Sequence, residues 1–256
     1  MRRHLAIALL FAICASTAFS QIHRPPNVAF GHRRYAADSC LVSGFGLGLF
    51  TNVDSLRGFQ LGLIESVAMR DIRGVSIGGL WASTIGNMRG VQVSGLVNGV
   101  GGEMRGLQMA VISNITARAN GIQFAALSNA SATPFSGIQI GGVTNVSSGV
   151  MSGLQVSGYN YADTLNGSQI GLINVAVKHP RGVQVGLFNY TRDTVASKIG
   201  LVNINPLTRI DFMFFLGNTS KFNVALRFRN RSTYSIVGFG THYLGLDDGF
   251  SGALFY

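Results

Sequence analysis

Gly182-Val183-Gln184-Val185-Gly186-Leu187-Phe188-Asn189 sets out a pattern: Gly, apolar, Gln, apolar, Gly, Leu, any residue, Asn. The pattern returns as Gly58-Phe59-Gln60-Leu61-Gly62-Leu63 and as Gly90-Val91-Gln92-Val93-Ser94-Gly95-Leu96-Val97-Asn98. Further copies start at Gly106, Gly121, Gly137, Gly153 and Gly167, with divergent ones at Gly44 and Gly74. A last copy, without its leading Gly, runs through Lys198-Ile199-Gly200-Leu201-Val202-Asn203. From Gly44 the steps between leading glycines are 14, 16, 16, 16, 15, 16, 16, 14 and 15 residues, giving eleven units between Gly44 and Pro206.

A unit of about 15 residues is too short for a helix–turn–helix repeat or a four-stranded propeller blade. Alternation such as Val183-Gln184-Val185 has the two-residue period of a strand. A glycine at a fixed offset would weaken any helix. The repeat therefore predicts one turn of a parallel β-solenoid per unit. Two short strands and two corners would stack about 4.8 Å above the preceding turn. The leading glycines Gly58, Gly74, Gly90, Gly106, Gly121, Gly137, Gly153, Gly167 and Gly182 are expected at αL corners. Stacked Gln and Asn amides are expected to hydrogen-bond along the axis. A transmembrane β-barrel with one strand per unit is the alternative, since charges are few and aromatics many. Against it, barrel strands run antiparallel, so a hairpin would be the natural repeat, and the spacings are too uniform for long and short loops in alternation.

The remaining sequence frames this array. Met1-Arg2-Arg3-His4 followed by the apolar run Leu5 to Ala15, with Ala18-Phe19-Ser20 supplying small residues, reads as a signal peptide (1–20) cleaved before Gln21. A lipid anchor at Cys14 is disfavoured by the bulky Ile13 before it. Residues 21–43, with Arg24, Arg33, Arg34 and Pro25-Pro26, are expected to form a lead-in or cap to the repeats at 44–206. From 207 to 256 the repeat stops and an antiparallel meander is expected. Its candidate strands are Ile210 to Phe214, Phe222 to Arg229, Tyr234 to Leu244 and Gly252 to Tyr256.

Composition excludes several classes. With 34 Gly among 256 residues and only five Pro, the chain is not collagen. With 47% hydrophobic residues it is not a disordered segment, and with two Cys it is not a disulfide scaffold. Charged residues make up 12%, with 20 Lys and Arg against 10 Asp and Glu, a net charge of +10. Removal of Arg2 and Arg3 with the signal peptide leaves +8 and leaves Cys40 without an intramolecular partner.

Tandem Gly-x-Gln-x-Gly-Leu-x-Asn units behind a signal peptide resemble the bacterial surface-repeat proteins, over about 160 of the 256 residues. The resemblance implies a cell-envelope location at the outer membrane, surface or periplasm, and a non-enzymatic role. It transfers no site residues. The unit length also resembles the β-roll heads of trimeric autotransporter adhesins, whose motif differs.

Few residues carry catalytic or metal-binding signals. Gly74-Val75-Ser76-Ile77-Gly78 fits the nucleophile-elbow pattern, but Ser76 holds the Gln position of a repeat and no helix follows. His4, His23, His32, His179 and His242 lack metal-ligand spacing, and Asp247-Asp248 reads as a turn. No catalytic residue, cofactor or metal site is expected. Carboxylates are too sparse in the repeats for a polysaccharide-cleaving groove. One feature stands apart. Arg57, Arg73, Arg89 and Arg105 each precede the leading Gly of four successive units, so stacking would set them in a ladder. Such a stripe is suited to an anionic glycan or lipid headgroups. Nucleic acid is not expected, because no stacking aromatics alternate with the arginines. The expected function is structural or adhesive, with a barrel-linked transport or anchoring module as the alternative.

Overall fold

The structure, a computed structural model, describes residues 42–178, 181–192, 197–216, 222–230 and 234–241. The expected signal peptide and the lead-in up to 41, with Cys14 and Cys40, lie outside the described residues, as do His179, His242, Asp247-Asp248 and the candidate strand at Gly252 to Tyr256.

The described residues are all β, in about ten turns of parallel stacked coils followed by a small antiparallel sheet. Solenoid strands run from Val42–Val53 at one end to Val202–Ile204 at the other, and each pairs in parallel with the coil before and after it. Parallel pairing displaces the barrel alternative for the repeats, because a barrel of sequential strands requires antiparallel neighbours.

Register carries the repeat into space. The Gln position forms one column: Gln92, Gln108, Gln123, Gln139, Gln155, Gln169 and Gln184 face one another in successive coils. Asn98, Asn114, Asn129, Asn145, Asn160, Asn174, Asn189 and Asn203 form a second column on the other arm of the coil. Both columns point inward and are buried, except Asn203 at the end of the asparagine column, which is half-buried. A third interior column is apolar: Leu56, Ile72, Met88, Met104, Ala119, Phe135, Met151 and Leu165. Ala119 stacks on Phe135, so a small side chain makes room for the largest one in the column.

The alternation is therefore inverted relative to an ordinary sheet. Polar Gln139 is inside, while its apolar neighbours Ile138 and Ile140 face out, half-buried and exposed. Amide bonding along the axis makes this stable, since a buried amide is costly only when unpaired. Gln108 Nε2 donates to Gln92 Oε1 at 2.8 Å, and the same bond recurs at 2.8–2.9 Å up to Gln184. In this column each N–H reaches toward the N-terminal neighbour. The Asn column runs the other way: Asn98 Nδ2 donates to Asn114 Oδ1 at 2.8 Å, and so on to Asn203. Asn side chains also donate to backbone carbonyls of the next coil, as Asn114 does to Phe124 O at 2.7 Å. The ladders start only at Gln92 and Asn98. Before them the glutamine column carries Gln60 and then Ser76, and the asparagine column Ser66 and then Ala82. Gln60 donates to backbone carbonyls of Thr51 and Val67, and the hydroxyls of Ser66 and Ser76 bond each other at 2.9 Å.

The leading glycines were expected in the αL conformation at corners, and their actual setting differs. Gly74 lies in the middle of the strand Ile72–Gly78, and the ladder passes through it to Gly90. The φ of Gly106 is 133°, far from the ~57° of αL. A Cβ on Gly106 would lie 2.0 Å from the carbonyl oxygen of Gly90. Two constraints thus coincide: a backbone angle that L-residues rarely adopt and close approach of stacked backbones.

The antiparallel meander is present. Its strands are Arg209–Phe215, Phe222–Arg229 and Tyr234–Thr241, the middle one pairing with both others. It joins the last coil through Asn230, whose Nδ2 donates to Asn203 O at 3.0 Å and whose Oδ1 accepts from Thr208 Oγ1 at 2.5 Å.

Candidate functional site: an arginine edge

Arg57, Arg73, Arg89 and Arg105 are brought together. Arg57 faces Arg73, Arg73 faces Arg89, and Arg89 faces Arg105 in consecutive parallel pairings, and all four are exposed. Stacked strands set neighbouring guanidinium stems about 4.8 Å apart at the backbone. Repulsion between neighbours is about 1 kcal/mol in a water-like dielectric, and the side chains relieve it by splaying. Beyond Arg105 the same position is held by Asn120, and then by Ser136 and Ser152. The charged stripe is therefore confined to one stretch of the rod.

Acidic side chains two residues ahead of the arginines behave differently from one another. Glu103 accepts from Arg105 Nε at 2.9 Å, and that bond holds its carboxyl below the usual range, helped by the charges of Arg118 and Arg89. Asp71 instead accepts the Asn87 backbone N–H at 2.8 Å and so organises the corner rather than Arg73. Asp54 lies 3.3 Å from Arg70. Arg57, Arg73 and Arg89 have no ion-pair partner among the described residues, so three neighbouring cations face solvent with one partly neutralised neighbour at their end.

On the outer face of the same strands, two apolar columns continue from the arginines. Val75 and Ile77 follow Arg73, and Val91 and Val93 follow Arg89. Farther along, where the corner loses one residue after Gly153, an open apolar groove of about 750 Å³ runs over the corner glycines Gly158, Gly171, Gly186 and Gly200, walled by Leu172 and Leu187. Sequence reasoning missed this groove, because the leucines and glycines that line it belong to different coils and only the stacking brings them together.

Ser76 is fully buried in the Gln column, and its hydroxyl is engaged with Ser66. Among the described residues, no three His, Cys, Asp or Glu side chains gather in a way that could hold a metal ion. No helix among them is long and apolar enough to cross a membrane. Comparison with family models, curated proteins and solved structures finds no match for the chain.

Proposed function

We propose that the protein is an exported, non-catalytic envelope protein, a stiff β-rod with a structural or adhesive role. On this reading its arginine edge contacts the phosphate or sulfate groups of an anionic glycan or lipid headgroup. The observation that carries the proposal is the shared register of Arg57, Arg73, Arg89 and Arg105 on one exposed edge. The n-region and apolar run at the N-terminus support export, and the sparse carboxylates of the repeats support a non-catalytic role.

A polyanion bridging the edge removes the repulsion between neighbouring arginines and releases its own counterions, so binding weakens steeply with salt. Two probes separate the sources of anion: dextran sulfate for a glycan, and phosphatidylglycerol vesicles for a headgroup. The expected result is that the double substitution Arg73→Gln and Arg89→Gln lowers affinity by about tenfold at ~50 mM salt. The charge-matched pair Lys178→Gln and Arg192→Gln should change it little. Equal losses from the two pairs would reduce the edge to general basicity. Protonating Glu103 frees Arg105, so affinity should rise further only below the ordinary carboxylate range, in line with the lowered pKa of Glu103.

A further inference from the structure

The C-terminal sheet has two unlike faces. On one side stand Ile210, Phe212, Phe214, Leu226 and Phe239, with Phe222 beside Phe214. Phe212, Phe214 and Phe239 are 60%, 64% and 63% exposed, and the rings of Phe212 and Phe214 meet edge-on at 4.6 Å. On the other side Arg209, Asp211, Arg227 and Arg229 share a parity with Phe215 and the exposed Tyr234, and Arg227 Nη2 donates to Asp211 Oδ2 at 2.8 Å. Within the described residues of this sheet, no charged side chain lies on the aromatic face. The exposed apolar surface of the six large side chains comes to about 600 Å², the upper end of what a soluble monomer leaves in one patch.

We propose that this aromatic face beds into the hydrocarbon boundary of an anionic membrane, as the β counterpart of an interfacial amphipathic helix. Charge selects that occupant over a second copy of the chain. The stretch from Leu207 to Thr241 holds five Lys and Arg against one Asp, in a chain of net charge +10, so two copies repel while an anionic bilayer attracts. Length selects lying on the membrane over crossing it. The strand Arg209–Phe215, which has described residues beyond both of its ends, is seven residues long, short of the about 9–11 a spanning strand needs. With the aromatics ~5–10 Å deep, the backbone edges and the arginines of the opposite face sit among phosphates and water, where their polar groups are satisfied. This inference is independent of the arginine edge of the rod.

The test uses the full chain carrying Trp81→Phe and Phe239→Trp, so that one indole reports on the sheet. With vesicles of phosphatidylcholine and phosphatidylglycerol in equal parts, the indole emission should shift to the blue and be quenched by acyl-chain bromines. Phe212→Asp with Phe214→Asp, at exposed positions that leave the interior intact, should weaken vesicle binding by about tenfold or more. The same variant should keep dextran sulfate binding, which Arg73→Gln with Arg89→Gln should lower. With vesicles in excess, so that the protein is fully bound, the arginine variant should still show the quenching, and the two proposals fail separately. Absence of vesicle binding overturns the inference, as does binding without quenching. Indole already shielded from iodide without vesicles assigns the face to the chain's own remaining residues. Self-association that Phe212→Asp with Phe214→Asp abolishes assigns it to a second copy.

Discussion

Replacing Gly106 by valine should destabilise the rod by about 3–5 kcal/mol or abolish its cooperative unfolding. The new Cβ would fall 2.0 Å from the Gly90 carbonyl oxygen, a backbone atom in the same parallel ladder that cannot move without breaking register. The φ of 133° adds strain that no rotamer relieves. Even alanine meets both obstacles, so Gly106→Ala should be nearly as damaging. Gly99→Ala is the matched control. Its Cβ would meet Ser83 Cβ at 3.7 Å, an ordinary contact, and the expected change is within ~0.5–1 kcal/mol. Urea melts of the three variants decide the matter. Similar midpoints for Gly106→Ala and Gly99→Ala would show that the glycine column is not a close-packed seam.

Interrupting the glutamine ladder should be the next most costly change. Gln123 donates to Gln108 Oε1 at 2.8 Å and accepts from Gln139 Nε2 at 2.9 Å. Gln123→Met keeps the volume but leaves an acceptor on Gln108 and a donor on Gln139 unpaired in the interior. At about 1–3 kcal/mol for each stranded group, the loss is about 3–5 kcal/mol. Gln184 stands at the end of the ladder, with only its Nε2 tied into it, to Gln169 Oε1 at 2.8 Å. Gln184→Met strands one amide of the ladder, the Gln169 Oε1 acceptor, along with a longer 3.3 Å bond to Tyr190 O, and should cost less than Gln123→Met. Melts in which Gln123→Met matches or exceeds the wild-type midpoint would mean that the amides are dispensable filling.

The coil length, the parallel stacking and the co-registered arginines were all legible in residues 44–206, because a repeat that places Gln, Gly and Asn in fixed order leaves few ways to stack. Which side of each strand faces inward was not. In Val91-Gln92-Val93 both parities are chemically defensible, and the usual rule would bury the valines. The interior is narrow, though, and an amide that bonds to its copy above and below fills it without stranding polar atoms. The glycine geometry was hidden for a related reason: a fixed-offset Gly signals a special backbone, but φ and crowding depend on the neighbouring coil. The two-faced C-terminal sheet was half legible. Alternation in Phe222 to Arg229 marked the strand, but only the cross-strand partners Phe212, Leu226 and Val237 show that the aromatic sides coincide.

The opposed sense of the two amide ladders bears on how such a protein can change its length over generations. Aligned dipoles add up in a helix, so each added turn acts on the charges at its ends. Here every coil from that of Gln92 to that of Gln184 contributes one glutamine amide pointing toward the N-terminus and one asparagine amide pointing toward the C-terminus. The two nearly cancel within the coil. Within the two ladders themselves, unpaired amide atoms fall where the ladders stop, at Gln92 Nε2, Asn98 Oδ1 and Gln184 Oε1, and their number does not depend on how many ladder coils lie between. Duplication or deletion of a whole unit by recombination therefore leaves the electrical balance and the ends unchanged. Selection is free to set the reach of the rod in steps of about 4.8 Å.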